Sequence, residues 1–474
     1  MKKILSILLA LMMLFSVTAL AENGSGSTPP GGAPGGEMGT PPDKPEGGMP
    51  GGNPPDGAPG GGFGGGTPPG GGASSFEYAA ATEITEAAEQ AGQTYTSDTV
   101  DESALIVNTT DAVTITSPTV TKTGDSNGGD SCNFYGLNAA LLVMGGSTAT
   151  ITGGTIESSA SGANGVFCYG GNGASNGAGG DGTTVIISDT TITTTGNGSG
   201  GIMTTGGGVT YANNLTVTTS GGSSAPIRTD RGGGTVVVDG GTYTSSGLGS
   251  PAIYSTADIT VKNATLVSNL SEGVCIEGMN SITLENCDMT ASNTSMNGNA
   301  TFLDTIMIYQ SMSGDADSGT SAFNMTGGSL TSLSGHMFHV TNTHAVITLS
   351  GVTLNNEGSD VLLSVCDDGW NGASNTAELV ADAQKLSGTI LVGDNSAMTL
   401  TLQNGSSFED TFSGEITNAK GAEVSTEIGT VNVILDSTST WTLTTDTYIT
   451  AFEGSMKNVV TGGYTLYVNG TAMN

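Results

Sequence analysis

One phrase recurs along most of the chain: a short alternating strand, a two-residue corner of Gly, Asn or a similar residue, and a further apolar residue. It reads Ile115-Thr-Ser-Pro-Thr-Val120, Ile151-Thr-Gly-Gly-Thr-Ile156, Ile187-Ser-Asp-Thr-Thr-Ile192, Ala212-Asn-Asn-Leu-Thr-Val217 and Val238-Asp-Gly-Gly-Thr-Tyr243. It continues as Val261-Lys-Asn-Ala-Thr-Leu266, Leu284-Glu-Asn-Cys-Asp-Met289, Met325-Thr-Gly-Gly-Ser-Leu330 and Leu349-Ser-Gly-Val-Thr-Leu354. The nine copies start 36, 36, 25, 26, 23, 23, 41 and 24 residues apart, so the unit is 23–26 residues and three intervals carry insertions. Periods of this size belong to solenoids, in which each repeat buries its apolar face against the next. Side chains five apart on a flat strand face opposite sides, so both apolar ends are buried only if the backbone bends between them. Gly and Asn tolerate the left-handed conformation such a bend requires.

A second series falls in the same frame. Ile202, Ile227, Ile253 and Ile276 each lie 15 residues after a corner phrase begins. An apolar column at constant offset predicts two to three strands per coil and an all-β, right-handed parallel β-helix. At ~4.8 Å per coil, nine coils make a rod on the order of 40 Å long. From Leu391 the phrase lengthens: Leu400 to Phe408 and Val433 to Trp441 match at a spacing of 33, as do Ile416 and Ile449.

Composition agrees. The 474 residues include 77 Gly, and 36% are hydrophobic, too many for wholesale disorder, while only 11% are charged. With 10 Lys+Arg against 43 Asp+Glu the net charge is -33, which leaves no basic face for nucleic acid. Lys2 and Lys3, the apolar run Ile4 to Leu14 and Ala19-Leu20-Ala21 form a secretory signal over residues 1–21, so export is expected. No Cys follows the cleavage site, no LPxTG-like signal ends the chain, and no later stretch approaches a transmembrane length. Residues 22–75, built from repeats such as Pro29-Pro30-Gly31-Gly32, read as a disordered Gly/Pro-rich spacer. Residues 76–100 read as an N-terminal cap, with a helical turn or two expected over Thr82 to Gly92; 101–375 form the β-helix, and 376–474 the C-terminal coils and cap.

The forms "ITGGTI", "VDGGTY", "VKNATL" and "MTGGSL" resemble coils of the right-handed parallel β-helix superfamily that includes pectate lyases, polygalacturonases and many bacterial surface adhesins. The segment "LDSTSTWTLTTDTYIT" is similar to C-terminal coils of autotransporter adhesin passengers. The resemblance covers about residues 101–375 and implies a bacterial secreted or cell-surface protein. It leaves open a non-catalytic adhesin-like module, binding glycans or other cell-surface components, and a lyase or glycosidase acting on acidic polysaccharide. The residues favour the first, because no converging carboxylate set of either enzyme type is present.

Two places carry candidate chemistry. The chain has two Arg, both in Ile227-Arg228-Thr229-Asp230-Arg231. With Ile227 inward, Arg228 is expected outward, with Tyr254 and Glu277 stacked one and two coils further on. A guanidinium beside Tyr and carboxylates suits a sugar acid, or else an ion pair with Asp230. The second place joins His336, His339 and His344 to Asp367 and Asp368. His336 and His339, three apart on a strand, face opposite sides unless the strand bends. No cofactor is expected apart from Ca²⁺, for which Asp315 and Asp317 form a partial loop. Of the five cysteines, Cys275 and Cys287 read as fillers, while Cys132 and Cys168 lie beside Gly-rich insertions and are a candidate pair. The insertions Thr123 to Tyr135, Gly170 to Gly182 and Ser292 to Asp304 are expected to project. Outward Thr runs keep the exterior soluble; a flat Thr array could also bind ice or glycan, but the uneven spacing between coils argues against ordered ice matching.

Overall fold

A typical coil delivers three strands, two of them from the corner phrase, which in Gly208–Thr219 and Gly234–Ser245 run on as one. In one turn Val166–Tyr169 is followed by Thr184–Ser188 and Thr191–Thr194, and Ile202–Thr205 opens the next. The structure is a computed structural model that describes residues 77–173, 179–370 and 375–473. The signal and the whole of the spacer fall outside the described residues. Thirteen parallel strands, from Ala79–Ile84 to Phe412–Ser413, stack in chain order along one side. The two strands of each corner phrase stack along the others, so the chain is a parallel β-helix.

The corner residues behave as their chemistry requires. Ser117, Gly153, Asp189, Asn214, Gly240, Asn263 and Asn286 all hold φ between 50° and 75°, one per coil in an unbroken series. Asn also links coils: Asn214 Nδ2 donates to Asp189 Oδ1 and Asn263 Nδ2 to Asp239 Oδ1, each at 2.7 Å. One hydrophobic cluster runs from Ile84 to Leu466 and fills the interior, with Tyr243, Phe323, Phe338, Phe408 and Trp441 as its largest members. The 33-residue spacing of the last coils appears as Leu400 beside Val433 and Phe408 beside Trp441. Ile416 and Ile449 do not align. Ile416 packs outside the main core with Phe302 and Cys366, whereas Ile449 lies within it.

Four expectations need correction. Thr82 to Gly92 is not helical: Ala79–Ile84 and Ala88–Ala91 are strands that pair in register with Glu102–Asn108 and Ala112–Thr116. Burial there alternates with period two, ending on Ile84, and β-ladder pairing overrides the helix-like spacing of its alanines. The isoleucine column runs Ile202, Ile227, Ile253 and then Val274; Ile276 pairs instead with Ser255 and Ile308. The cause is a turn two residues shorter, since Ser245 precedes Ile253 by eight positions and Ser268 precedes Val274 by six. The first and third insertions fold back rather than project. Within the first, Asp130–Phe134 is a short helix whose Asn133 and Phe134 touch Arg228 and Arg231, and within the third Thr301 binds Asp368. The second is described only at its ends, residues 170–173 and 179–182.

The uneven coil lengths do not disturb the Thr columns, which is the fourth correction. Thr119, Thr155, Thr191, Thr216, Thr242 and Thr265 lie side by side on successive coils, all exposed. All three insertions flank the thirteen-stranded sheet, so extra length enters there and the corner faces keep register.

Candidate functional site

Both candidate clusters, His344 apart, belong to one strip. On the outer face of the thirteen-stranded sheet a continuous register column runs Ile106, Leu142, Phe167, Met203, Arg228, Tyr254, Cys275, Met307, His339, Ser364 and Leu391. The column is apolar at its start, where Ile106, Leu142, Phe167 and Met203 form a second small core, and polar in the middle. Cys275, not Glu277, follows Tyr254. Glu277 is displaced two residues along the strand, which keeps it on the same face beside Tyr309.

Arg228 points out of the coil as expected but is buried, because the first insertion covers it. Its Nη2 meets Asp230 Oδ2 at 2.8 Å, and Nη1 donates to Asn133 Oδ1 and the Ser223 carbonyl. The guanidinium carbon lies 5.6 Å from the Tyr254 ring centroid. Burial pushes Asp230 up to about 6 although Arg228 pulls the other way. Arg231 spends Nε and Nη2 on Asp315 Oδ1 and stacks on Phe134 at 4.3 Å. Asp315 is thus engaged by a guanidinium, while Asp317 is exposed. Among the described residues no three His, Cys, Asp or Glu groups converge in a geometry that could hold a metal ion.

Glu277 has no cationic partner among the described ion pairs. Tyr254 OH donates to its Oε2 at 2.6 Å, Tyr309 OH to the same atom at 3.3 Å, and Ser311 and Ser313 hydroxyls donate to Oε1. Burial raises the acid despite these donors. Glu272 is buried and receives the Ser271 hydroxyl, and burial raises it too. Asp304, with Oδ1 unpartnered, is driven well above the carboxylate range by burial and then by Glu272 and Asp368. Sequence reasoning passed over Glu272, Asp304, Tyr309 and Trp370 as site residues, although strand register places Tyr309 beside Glu277 and Asp304 beside His336.

The bend that the histidines need exists. Adjacent Met337 and Phe338 both face the core, as do Leu362 and Leu363 one coil later, where the register shifts. Two successive inward residues restore His336 and His339 to one outer face. Both Nδ1 atoms lie 2.8 Å from Ser364 Oγ, whose one proton and two lone pairs serve both rings, the tautomer of each ring setting the direction of its bond. His339 Nε2 lies 3.4 Å from Asp368 Oδ2. Burial would raise Asp368, but the neighbouring His339 and hydrogen bonds from Thr301 and the Gly369 N–H hold it below the usual range. Burial, then His339, lowers His336 to about 4. Ser364, His339 and Asp368 make a nucleophile–base–acid series, yet Ser364 and His339 are wholly buried and Phe302 stacks on His339 at 4.6 Å. The series therefore orders the core of this face. Ser364 lies one coil after His339, a relation the coil arithmetic could have exposed. His344 stands apart on a corner strand, bonded to Thr376, and Asp367 is exposed.

All five cysteines are free and buried, so Cys132 and Cys168 do not pair. Cys132 instead contacts Ser126 Oγ, and Cys168 faces the Thr183 and Val209 carbonyls, its thiol pushed up to about 12 by burial.

Between the two clusters lies a cleft of about 70 Å³. Arg228, Tyr254, Glu272, Met307, Tyr309 and Trp370 line it. Gly298 at its rim is exposed, whereas Glu272, Met307 and Tyr309 are buried. No family pattern, curated protein or solved structure matches the chain.

Proposed function

We propose that this chain is an exported or cell-surface β-helix of bacterial type that works as an adhesin-like module, holding glycan on its corner faces without catalysis. The observation that carries this reading is the flat row of exposed, in-register Thr hydroxyls from Thr119 to Thr265. Rows of hydroxyls at the ~4.8 Å coil spacing offer an extended polysaccharide repeated donors and acceptors along its length. The charged strip supports no comparable polymer chemistry. A lyase or glycosidase needs two converging acids open to substrate; Glu277 is saturated by hydroxyls, and Glu272 is the one carboxylate lining the cleft. Uronate recognition needs a free guanidinium, and both Arg are ion-paired.

The test is a glycan array with polysaccharide pull-down at fixed salt, comparing the full chain with a Thr191→Ala/Thr216→Ala/Thr242→Ala variant. Each hydrogen bond contributes roughly 0.5–1.5 kcal/mol net, so the variant should bind about tenfold more weakly or worse while keeping its circular dichroism. A blank array, or equal binding by the variant, overturns the reading. So does sustained release of unsaturated product from polygalacturonate that Arg228→Ala abolishes.

A further inference from the structure

The cleft in the covered strip has its own chemistry, independent of the glycan reading. Three aromatic rings, Tyr254, Tyr309 and Trp370, line it, with Tyr309 and Trp370 centroids 4.8 Å apart and tilted by 52°. Met307 and Pro251 add apolar wall. Three buried acids, Glu272, Glu277 and Asp304, line or neighbour this space, and none has a Lys, Arg or His partner among the described ion pairs. Arg228 sits at one end, but Asp230 already balances its charge at 2.8 Å. Aromatic faces are electron-rich, and a cation over them gains most when water is excluded.

Size and coordination choose among cations. At about 10–15 Å³ per water-sized group, a cleft of about 70 Å³ suits a compact group of a few non-hydrogen atoms. A bare metal ion needs several converging oxygen ligands, and this wall is mainly aromatic and apolar. We propose that the cleft is a binding site for a methylated ammonium group, the cation contacting Tyr254, Tyr309 and Trp370 and pairing with Glu272. Burial keeps the Glu272 acid above its usual range, and a cation beside it favours the ionised form. The group's carrier can be a lipid headgroup or a substituted surface polymer.

The chain has two Trp, and Trp441 is fully buried in the core, so a ligand-dependent change in emission reports Trp370. Titration of the full chain with tetramethylammonium and with choline should give saturable changes. The neutral carbon isostere of choline, 3,3-dimethylbutan-1-ol, should bind at least tenfold more weakly. Glu272→Gln and Tyr309→Ala should each weaken tetramethylammonium at least tenfold, read by calorimetry, while Tyr309→Phe keeps most of the affinity and controls for folding. Equal affinity for the isostere, no saturable change, or full affinity in Glu272→Gln overturns the proposal. Phosphatidylcholine vesicles and a soluble choline-substituted polymer then serve as carriers; retention on either supports the proposal and names the source. Loss of glycan binding in the Thr variant with choline affinity intact separates the two sites.

Discussion

At the scale of single residues, burial outweighs charge pairing at His336, Asp230, Glu277 and Asp304, with Asp368 the exception. His336 falls to about 4 because its ring is enclosed and faces His339. Its folded pKa lies below the unfolded value near 6.5, so the folded state binds fewer protons between those values. His336 therefore adds stability that is complete above about pH 6.5 and disappears as pH falls through 4. Asp230 acts oppositely: its rise to about 6 favours the folded state in acid and is lost as pH climbs from near 4 to 6. The two windows overlap, so the parent's pH profile alone hides both. Urea unfolding of the parent against His336→Gln isolates the histidine. The stability difference should shift in the variant's favour by about 2–3 kcal/mol between pH 7 and pH 4, and a constant difference would show that His336 does not titrate in this environment. Sequence gave no hint of this, because the coil pattern specifies that an outward residue stands here and not that an insertion covers it. The corner residues are the opposite case: Asn263 and Gly240 can be placed from sequence because few residue types accept their backbone conformation.

At the scale of elements, the strands were legible and the insertions were not. A strand's facing follows from period two, and two departures from that period, at Met337-Phe338 and Leu362-Leu363, rebuild the histidine cluster that simple alternation forbids. Nothing local distinguishes those pairs from ordinary apolar neighbours. The insertion Ser292 to Asp304 likewise looks like a polar loop, yet Phe302 stacks on His339 and packs with Cys366 and Leu391. Thr301 gives Asp368 two hydrogen bonds, 2.7 Å from its N–H and 2.6 Å from its hydroxyl. A loop held by a buried ring and a buried carboxylate is part of the fold. Phe302→Ala should cost about 3–5 kcal/mol in chemical denaturation. A cost below about 1 kcal/mol, the value of an exposed substitution, would mean that the insertion swings free and that the strip is open.

At the scale of the molecule, one core and one sign of charge govern behaviour. The hydrophobic cluster is continuous from Ile84 to Leu466 and crosses residue 375 without a break, through Ala377 and Leu379 stacked on Ala345 and Ile347. Forty-three acids against ten bases leave the exterior repelling itself, and the described ion pairs on that exterior are few. Salt should stabilise the fold by screening this repulsion, whose reach is about 30 Å at 0.01 M and about 3 Å at 1 M ionic strength. A specific Ca²⁺ site would add a second, saturable term through mass action. Asp315, the residue best placed by sequence to supply such a site, gives one carboxylate oxygen to both Nε and Nη2 of Arg231. Sodium and calcium chlorides at equal ionic strength should therefore raise the melting temperature by similar amounts, with calcium slightly ahead through its double charge. An additional rise that saturates at micromolar to millimolar Ca²⁺ and vanishes in Asp315→Asn would show that the Arg231 pair opens to admit the ion. An unchanged melting temperature across the salt series would show that the exterior carboxylates are too widely spaced along the rod to repel.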